Sequence, residues 1–330
     1  MKKILVIGSN SFAGSDFIDY LLQRKLKVYG VSRNLEAHRV HLKYKKNKYI
    51  KNFTFAKINL NLINDIQKLI KIIKKEKINY IANFAAQGMV AESWINPEDW
   101  YRTNVVSNSI LIKELSKLKI KKYLNFSTPE VYGNIPSLIK ETNIFSPTTP
   151  YAISRSAQDF NLLAYFKTYN FPVVFTRAAN IYGPYQQSYR IIPKIIISNL
   201  TNKKIPIHGK GNTLRSFVYM PDVSRAIYKI LFDKKNIGET FHISSKKFIT
   251  ILELSKLVNK LMNIKIKNIY HTKERDGKDL KYKLNSNKVR INYGWNEKTN
   301  LEDGIINTIN WAKKNLNYLK NSSLNYKHKK

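Results

Sequence analysis

The sequence contains no cysteine, and only 22 acidic residues against 58 lysines and arginines. Without cysteine there is no disulfide and no thiolate metal site. That fits a reducing compartment, and a cytoplasmic location is expected. The six histidines are scattered without ligand-like spacing, so no metal is expected. No apolar run approaches the roughly 18 residues of a membrane span, so no membrane insertion is expected. The run Ile4 to Ile7 follows Met1, Lys2 and Lys3 like the start of a leader peptide. Gly8, Ser9 and Asn10 end it far too early, and it reads as a buried strand instead. The shortage of acids leaves a net charge of +36, which raises the question of a nucleic-acid partner. The lysines are spread through nearly the whole chain among asparagines and isoleucines, so no nucleic-acid partner is expected. The basic field would still attract an anionic small molecule.

What is present is enough for a large core. The chain has 330 residues, 43% of them hydrophobic, which fits one large domain or two packed ones. Ile4 to Ile7 reads as a strand covered on both faces. Ser15 to Lys25 has helical spacing, and Val28 to Val31 is a second strand, making a β-α-β unit. Strands at 53–58, 80–84, 123–126 and 173–176 alternate with helices at 63–76, about 104–118 and 151–169. This predicts an α/β fold with a doubly wound, parallel, Rossmann-type sheet over residues 1–180. Beyond Gly183 the alternation is irregular. Helices at 193–200, 220–232 and 251–262 and a strand at 240–243 predict a smaller substrate-binding region over 181–318, with some segments crossing back. The lack of apolar periodicity predicts a frayed tail at 319–330.

Five stretches carry chemistry. Gly8, Ser11, Phe12, Ala13 and Gly14 form a glycine turn between the first strand and helix, in the pattern G-x-x-S-x-x-G. The helix amino terminus would face an anion, here the pyrophosphate of a dinucleotide. The second strand ends in Ser32 and Arg33, with no carboxylate to bond a ribose 2′-hydroxyl. A guanidinium suits a 2′-phosphate, so NADP is favoured over NAD. Ala85, Ala86 and Gln87 end the fourth strand with small residues that let a cofactor approach the backbone. Thr128 and Glu130 lie in the loop after the fifth strand, where open α/β sheets place ligands, and supply a hydroxyl and a proton-moving carboxylate. Finally, Tyr151 and Arg155 are four apart behind Pro150, on one face of a helix. The cation would favour the ionised phenol, giving a usable general base.

Taken in order, the glycine turn, the Ser-Thr-x-Glu-Val-Tyr-Gly loop and the Tyr-x-x-Ser-Arg helix resemble the extended short-chain dehydrogenase/reductase family. Within it they resemble the nucleotide-sugar 4,6-dehydratases. Glu141-Thr142, the run Arg177 to Tyr185, the run Gly209 to Val218, and Arg275 to Asp279 add to the resemblance, which covers residues 1 to about 315. It implies cofactor contacts from Asn59, Leu60 and Ala178 besides the residues above. It also implies substrate contacts from Thr128, Asn180, Arg190, Arg215 and Arg275, with the arginines gripping the diphosphate.

The activity implied is internal redox on a nucleotide-diphosphate hexose through a bound nicotinamide cofactor. Hydride leaves C4 while Tyr151 takes the O4 proton and Thr128 bonds that oxygen. Glu130 removes the C5 proton made acidic by the new ketone, water leaves C6, and the hydride returns there to give a 4-keto-6-deoxy sugar. A homodimer through the helices near 104–118 and 151–169 is also implied. Three residues depart from the pattern. Arg155 replaces the usual lysine, Pro129 replaces an aspartic acid that dTDP-glucose dehydratases carry, and Asn59 replaces an aspartate near the adenine. GDP-mannose dehydratases also lack the carboxylate at the Pro129 position. Two alternatives remain at this level: a UDP-glucuronate decarboxylase or epimerase, or a non-catalytic dinucleotide sensor.

Overall fold

The computed structural model describes residues 2–134, 137–264, 269–274 and 283–328. Seven strands form the central sheet: β1 Lys3–Ile7, β2 Lys27–Ser32, β3 Phe53–Lys57, β4 Tyr80–Asn83, β5 Lys122–Ser127, β6 Val173–Ala178 and β7 Thr240–Ile243. Their spatial order is β7-β6-β5-β4-β1-β2-β3, and every pairing is parallel. The chain runs outward from β1 in one direction through β2 and β3, then in the other from β4. The strand order therefore switches between β1 and β4, and a crevice opens beyond their carboxyl ends.

Helices cover both faces, which explains why Ile4, Leu5 and Val6 are wholly buried rather than alternating in and out. On one face α1 (Phe12–Leu22) and α6 (Met220–Phe232) pack together through Phe17, Leu21, Val223 and Ile227. On the other lie α2 (Ile63–Glu76), α3 (Asn108–Leu115) and α4 (Pro150–Tyr169). The α2 stripe is Ile66, Leu69, Ile70 and Ile73, spaced for one helix face. A π-helical turn, Arg102–Ser107, leads into α3. The long helix α4 is well bounded. Thr149 caps it by accepting from Ala152 N (3.2 Å), Pro150 opens it, and Asn170 ends it in the left-handed conformation.

A separate apolar core joins α5 (Ile191–Leu200), α7 (Ile251–Leu261) and α8 (Leu301–Lys314) through Ile192, Ile195, Leu254, Val258, Ile305 and Ile309. It stands over the carboxyl ends of the strands. Two short parallel segments, Asn180–Tyr182 and Phe217–Tyr219, tie it to the sheet layer.

Residues 319–328 differ from the expected frayed tail. They are held by single anchors rather than by a periodic face, which is why the sequence pattern gives no sign of them. Leu319 is buried, Tyr318 just before it stacks on His38 at 3.9 Å between rings, and Tyr326 and His328 make directed hydrogen bonds. No helix among the described residues is long and apolar enough to cross a membrane.

Candidate active site

A cleft of about 1020 Å³ runs across the carboxyl ends of β1, β2, β4, β5 and β6 and under the smaller core. Its floor is the glycine turn. Gly8 has φ +86°, and a Cβ there would lie 2.8 Å from Ala85 N, so only glycine lets β1 and β4 end this close together. Gly14 faces away from the cleft. A Cβ on it would sit 2.3 Å from Gly8 O, so it is the contact that allows α1 to start directly beneath the turn. Ser11, at the position where a middle glycine is usual, is the N-cap of α1 and accepts from Gly14 N at 3.0 Å. Phe12 and Ala13, which follow it, line the cleft.

The end of β2 stands beside this turn. Ser32 Oγ accepts from Asn10 N (2.9 Å) and pairs with Ser9 Oγ (3.2 Å), so its hydroxyl fixes the turn. Arg33 lines the cleft and is half-buried. Asn59 and Leu60 line the same end. Asn59 N donates to the Asp65 carboxylate (2.7 Å), and its side-chain oxygen accepts from Asn61 N (3.1 Å). Ala85, Ala86, Gln87 and Ala178 complete this half of the wall.

Thr128, Glu130, Tyr151 and Arg155 meet in the middle of the cleft. Thr128 directly follows β5 and donates its hydroxyl to the Glu130 carboxylate across one turn of 3₁₀ helix that Pro129 opens. Tyr151, in the first turn of α4, is held at its backbone amide, which donates to Ser93 Oγ at 3.2 Å. Arg155 lies one turn further along α4, is 4% exposed, and donates from Nη2 to Phe126 O at 2.6 Å. Its buried Nε has no partner among the described residues.

The electrostatics correct one expectation. Burial pushes the Tyr151 phenol above its ordinary range, and the Glu130 carboxylate adds to the rise. Arg155 acts in the expected direction, together with the Thr128 hydrogen bond and Arg190, but does not outweigh them. The phenol of the chain by itself is therefore the protonated form at neutral pH.

At the other end, Asn180, Arg190 and Arg215 line the wall. The pairing of Asn180 with Phe217 brings Asn180 and Arg215 to one mouth. Arg215 donates from Nη1 to Leu214 O at 2.9 Å, and Arg190 is exposed at the rim where α5 begins. Arg275, with the rest of the run to Asp279, lies outside the described residues.

Two features of the site have no clear mark in the sequence. Asn104, wholly buried in the π-helical turn, accepts from Gln87 N (2.7 Å) and donates to Gln87 O (3.0 Å) and Ser154 Oγ (3.0 Å). It ties the β4 loop to the first turn of α4. The second is a buried ion pair. Asp159 on α4 accepts from Arg177 Nη2 (2.9 Å), Ser127 Oγ (2.6 Å) and Asn125 Nδ2 (2.9 Å). Arg177, which opens the run to Tyr185 that adds to the family resemblance, is wholly buried in this network and also donates to Tyr132 OH at 2.6 Å. Among the described residues no cluster of His, Asp and Glu could hold a metal.

The strand order, the glycine turn at the switch point and a Thr/Glu/Tyr set in one cleft define a Rossmann-type enzyme of the extended short-chain dehydrogenase/reductase class. The chain belongs to the GDP-mannose 4,6 dehydratase family, whose profile matches residues 5–308. It is 30% identical to the dTDP-D-glucose 4,6-dehydratase of Mus musculus over 340 residues, covering 97% of this chain and 91% of the relative. It is 28% identical to the dTDP-glucose 4,6-dehydratase of Streptomyces niveus, covering 95% and 93%. Among solved structures, the dTDP-glucose 4,6-dehydratase of Streptomyces venezuelae with NAD bound superposes with a TM-score of 0.89 at 26% identity, covering 96% of this chain and 98% of that one.

Proposed function

We propose that the protein is a nucleotide-sugar 4,6-dehydratase that forms a 4-keto-6-deoxyhexose nucleotide. The observation that carries the reading is the convergence of Thr128, Glu130 and Tyr151 in a cleft floored by the glycine turn. The residues present fit a nicotinamide dinucleotide. Gly8, Ser11, Phe12 and Ala13 line the cleft at the start of α1, where a helix amino terminus suits a pyrophosphate, and Arg155, whose buried Nε has no partner among the described residues, lines it as well. When bound, such a cofactor supplies the hydride acceptor and donor and one positive charge near the phenol.

The chain's own residues do the rest. Tyr151 takes the O4 proton, and its raised affinity for protons makes the neighbouring cation of Arg155 necessary rather than incidental. Thr128 holds the same oxygen, and its present bond to Glu130 is exchanged for one to the sugar. Glu130 then moves the C5 proton. With Pro129 in the loop, Glu130 is also the group that protonates the departing C6 hydroxyl. Arg190 and Arg215 bind the diphosphate, with Asn180 beside them.

Arg33, with no carboxylate lining the end of β2, supports NADP as the preferred dinucleotide. An exposed apolar stripe supports a homodimer. Ile153 and Phe160 on α4 are 42% and 48% exposed, and Val106 on the π-helical turn is 55% exposed.

One experiment tests the reading. Purified protein is incubated with dTDP-glucose, UDP-glucose, CDP-glucose and GDP-mannose, each with NADP or NAD, and products are weighed by mass spectrometry. Loss of one water from one of these, faster with NADP, is expected. No dehydrated product from any combination would overturn the dehydratase assignment.

A further inference from the structure

The segment after α8 does not stop at the smaller core. It crosses the open side of the cleft from one rim to the other. Tyr318 stacks on His38 in the segment after β2. Asn325 Oδ1 accepts from Lys194 on α5 at 3.3 Å, and the Tyr326 ring sits edge-on against Tyr189 with centroids 5.3 Å apart. The contacts with Lys194 and Tyr189 belong to the substrate-side rim. Tyr326 and His328 also reach the opposite rim. Gln87 Nε2 donates to both Tyr326 OH and His328 Nδ1, each at 3.1 Å. His328 then donates from Nε2 to the Asp99 carboxylate at 2.6 Å, and its ring lies flat over Trp100 at 5.0 Å. Leu324, Asn325 and Tyr326 thereby form part of the cleft wall.

We propose that residues 324–328 are a strap that completes the active site, with Tyr326 and His328 as positioning residues acting through Gln87. The chemistry explains why Gln87 is the point of attachment. Its backbone is already held on both sides by Asn104. The strap takes both hydrogens of its side-chain amide, leaving only the carbonyl oxygen for other partners. A side chain that would otherwise choose among rotamers is thus fixed at the edge of the proposed nicotinamide site. The strap also spans the opening through which a dinucleotide would leave. This inference rests on the dinucleotide assignment above. An enzyme that lends a hydride and takes it back on the same sugar has to keep its cofactor between the two transfers. A strap joining the two rims does that without touching the reacting atoms.

The test compares the full chain with Tyr326→Ala/His328→Ala and with a chain ending at Ser323. Each is loaded with NADPH, passed through a desalting column, and followed for dinucleotide release by the fluorescence of the reduced nicotinamide, with circular dichroism confirming the fold. Release at least tenfold faster in both variants is expected. Turnover should be lowered at limiting dinucleotide and largely restored by saturating dinucleotide, with the sugar-nucleotide KM changed less than twofold. Release rates equal within twofold would overturn the strap, as would a truncated chain that turns over faster than the full one, which would make the segment a plug. Failure of the full chain itself to retain any dinucleotide would overturn the cofactor assignment and the strap with it.

Discussion

In the proposed mechanism Arg155 is the residue on which the chemistry turns. A lysine at its position would present a compact ammonium on a flexible stem, whereas the planar guanidinium is pinned at one end by Phe126 O and leaves Nε free. Its effect on Tyr151 is real but smaller than that of burial and of Glu130, so the phenol by itself stays protonated. The sequence shows the pair and its spacing, but not how deeply the phenol is buried, because burial depends on elements distant in the chain. Glu130→Gln should leave dinucleotide binding intact while lowering dehydration by about 10²–10⁴-fold, the range for losing a proton-transfer group. Normal water loss in that variant, read by mass spectrometry, would reassign the base. His242 makes a different kind of statement. Burial, and then the nearby Arg177 charge, hold it down to about 3 from an ordinary 6.5. Its neutral ring accepts from Tyr132 OH at Nε2 and bonds Asn285 O through Nδ1. Between those two values the unfolded chain binds a proton that the folded one refuses. Its share of stability is complete above about pH 6.5 and is lost as pH falls towards 3, by at most ~1.4 kcal/mol per pH unit. His242→Gln should flatten the acid side of a urea-midpoint profile between pH 4 and 7.

At the scale of elements, α4 is the part that organises the site. Tyr151, Arg155 and Asp159 are successive turns of one face. Arg155 bonds the Phe126 carbonyl, and Asp159 bonds the Asn125 and Ser127 side chains, so the helix is locked in register against the end of β5 that carries Thr128. Helical periodicity makes that face legible in the sequence, and α2 and α6 have the bounds their patterns predict, Ile63–Glu76 and Met220–Phe232. The π-helical turn is not legible, because nothing in local composition distinguishes it from ordinary helix. Neither is the Arg177–Asp159 pair, whose partners lie on a strand and a helix and meet only when β6 lies beside β5. Asp159→Asn leaves a wholly buried guanidinium without its counter-charge. It should cost about 3–5 kcal/mol and lower the melting temperature measurably by calorimetry. If stability is unchanged, the pair does not hold the register.

The whole molecule adds two further considerations. The net charge of +36 draws anionic sugar nucleotides from a distance, and their on-rate should fall with ionic strength. The proposed dimer would bury the exposed stripe of Val106, Ile153 and Phe160 against the same surface of a second copy. Phe160→Asp should convert the proposed dimer to monomer in sedimentation velocity. A wild-type chain that sediments as a monomer at micromolar concentration would rule the dimer out.

β7 has a consequence for dissecting the protein. It pairs alongside β6 although more than sixty residues separate them, and the neighbouring face is covered by α6, which also comes from beyond residue 180. A fragment ending after β6 would present that strand's outer edge unpaired, with Val173, Val174 and Phe175 beside it and the α1 face bare. An uncovered apolar strand edge is a template for pairing with other chains. The first 180 residues carry the whole glycine turn, the loop and the helix, yet expressed alone they would aggregate rather than bind a dinucleotide.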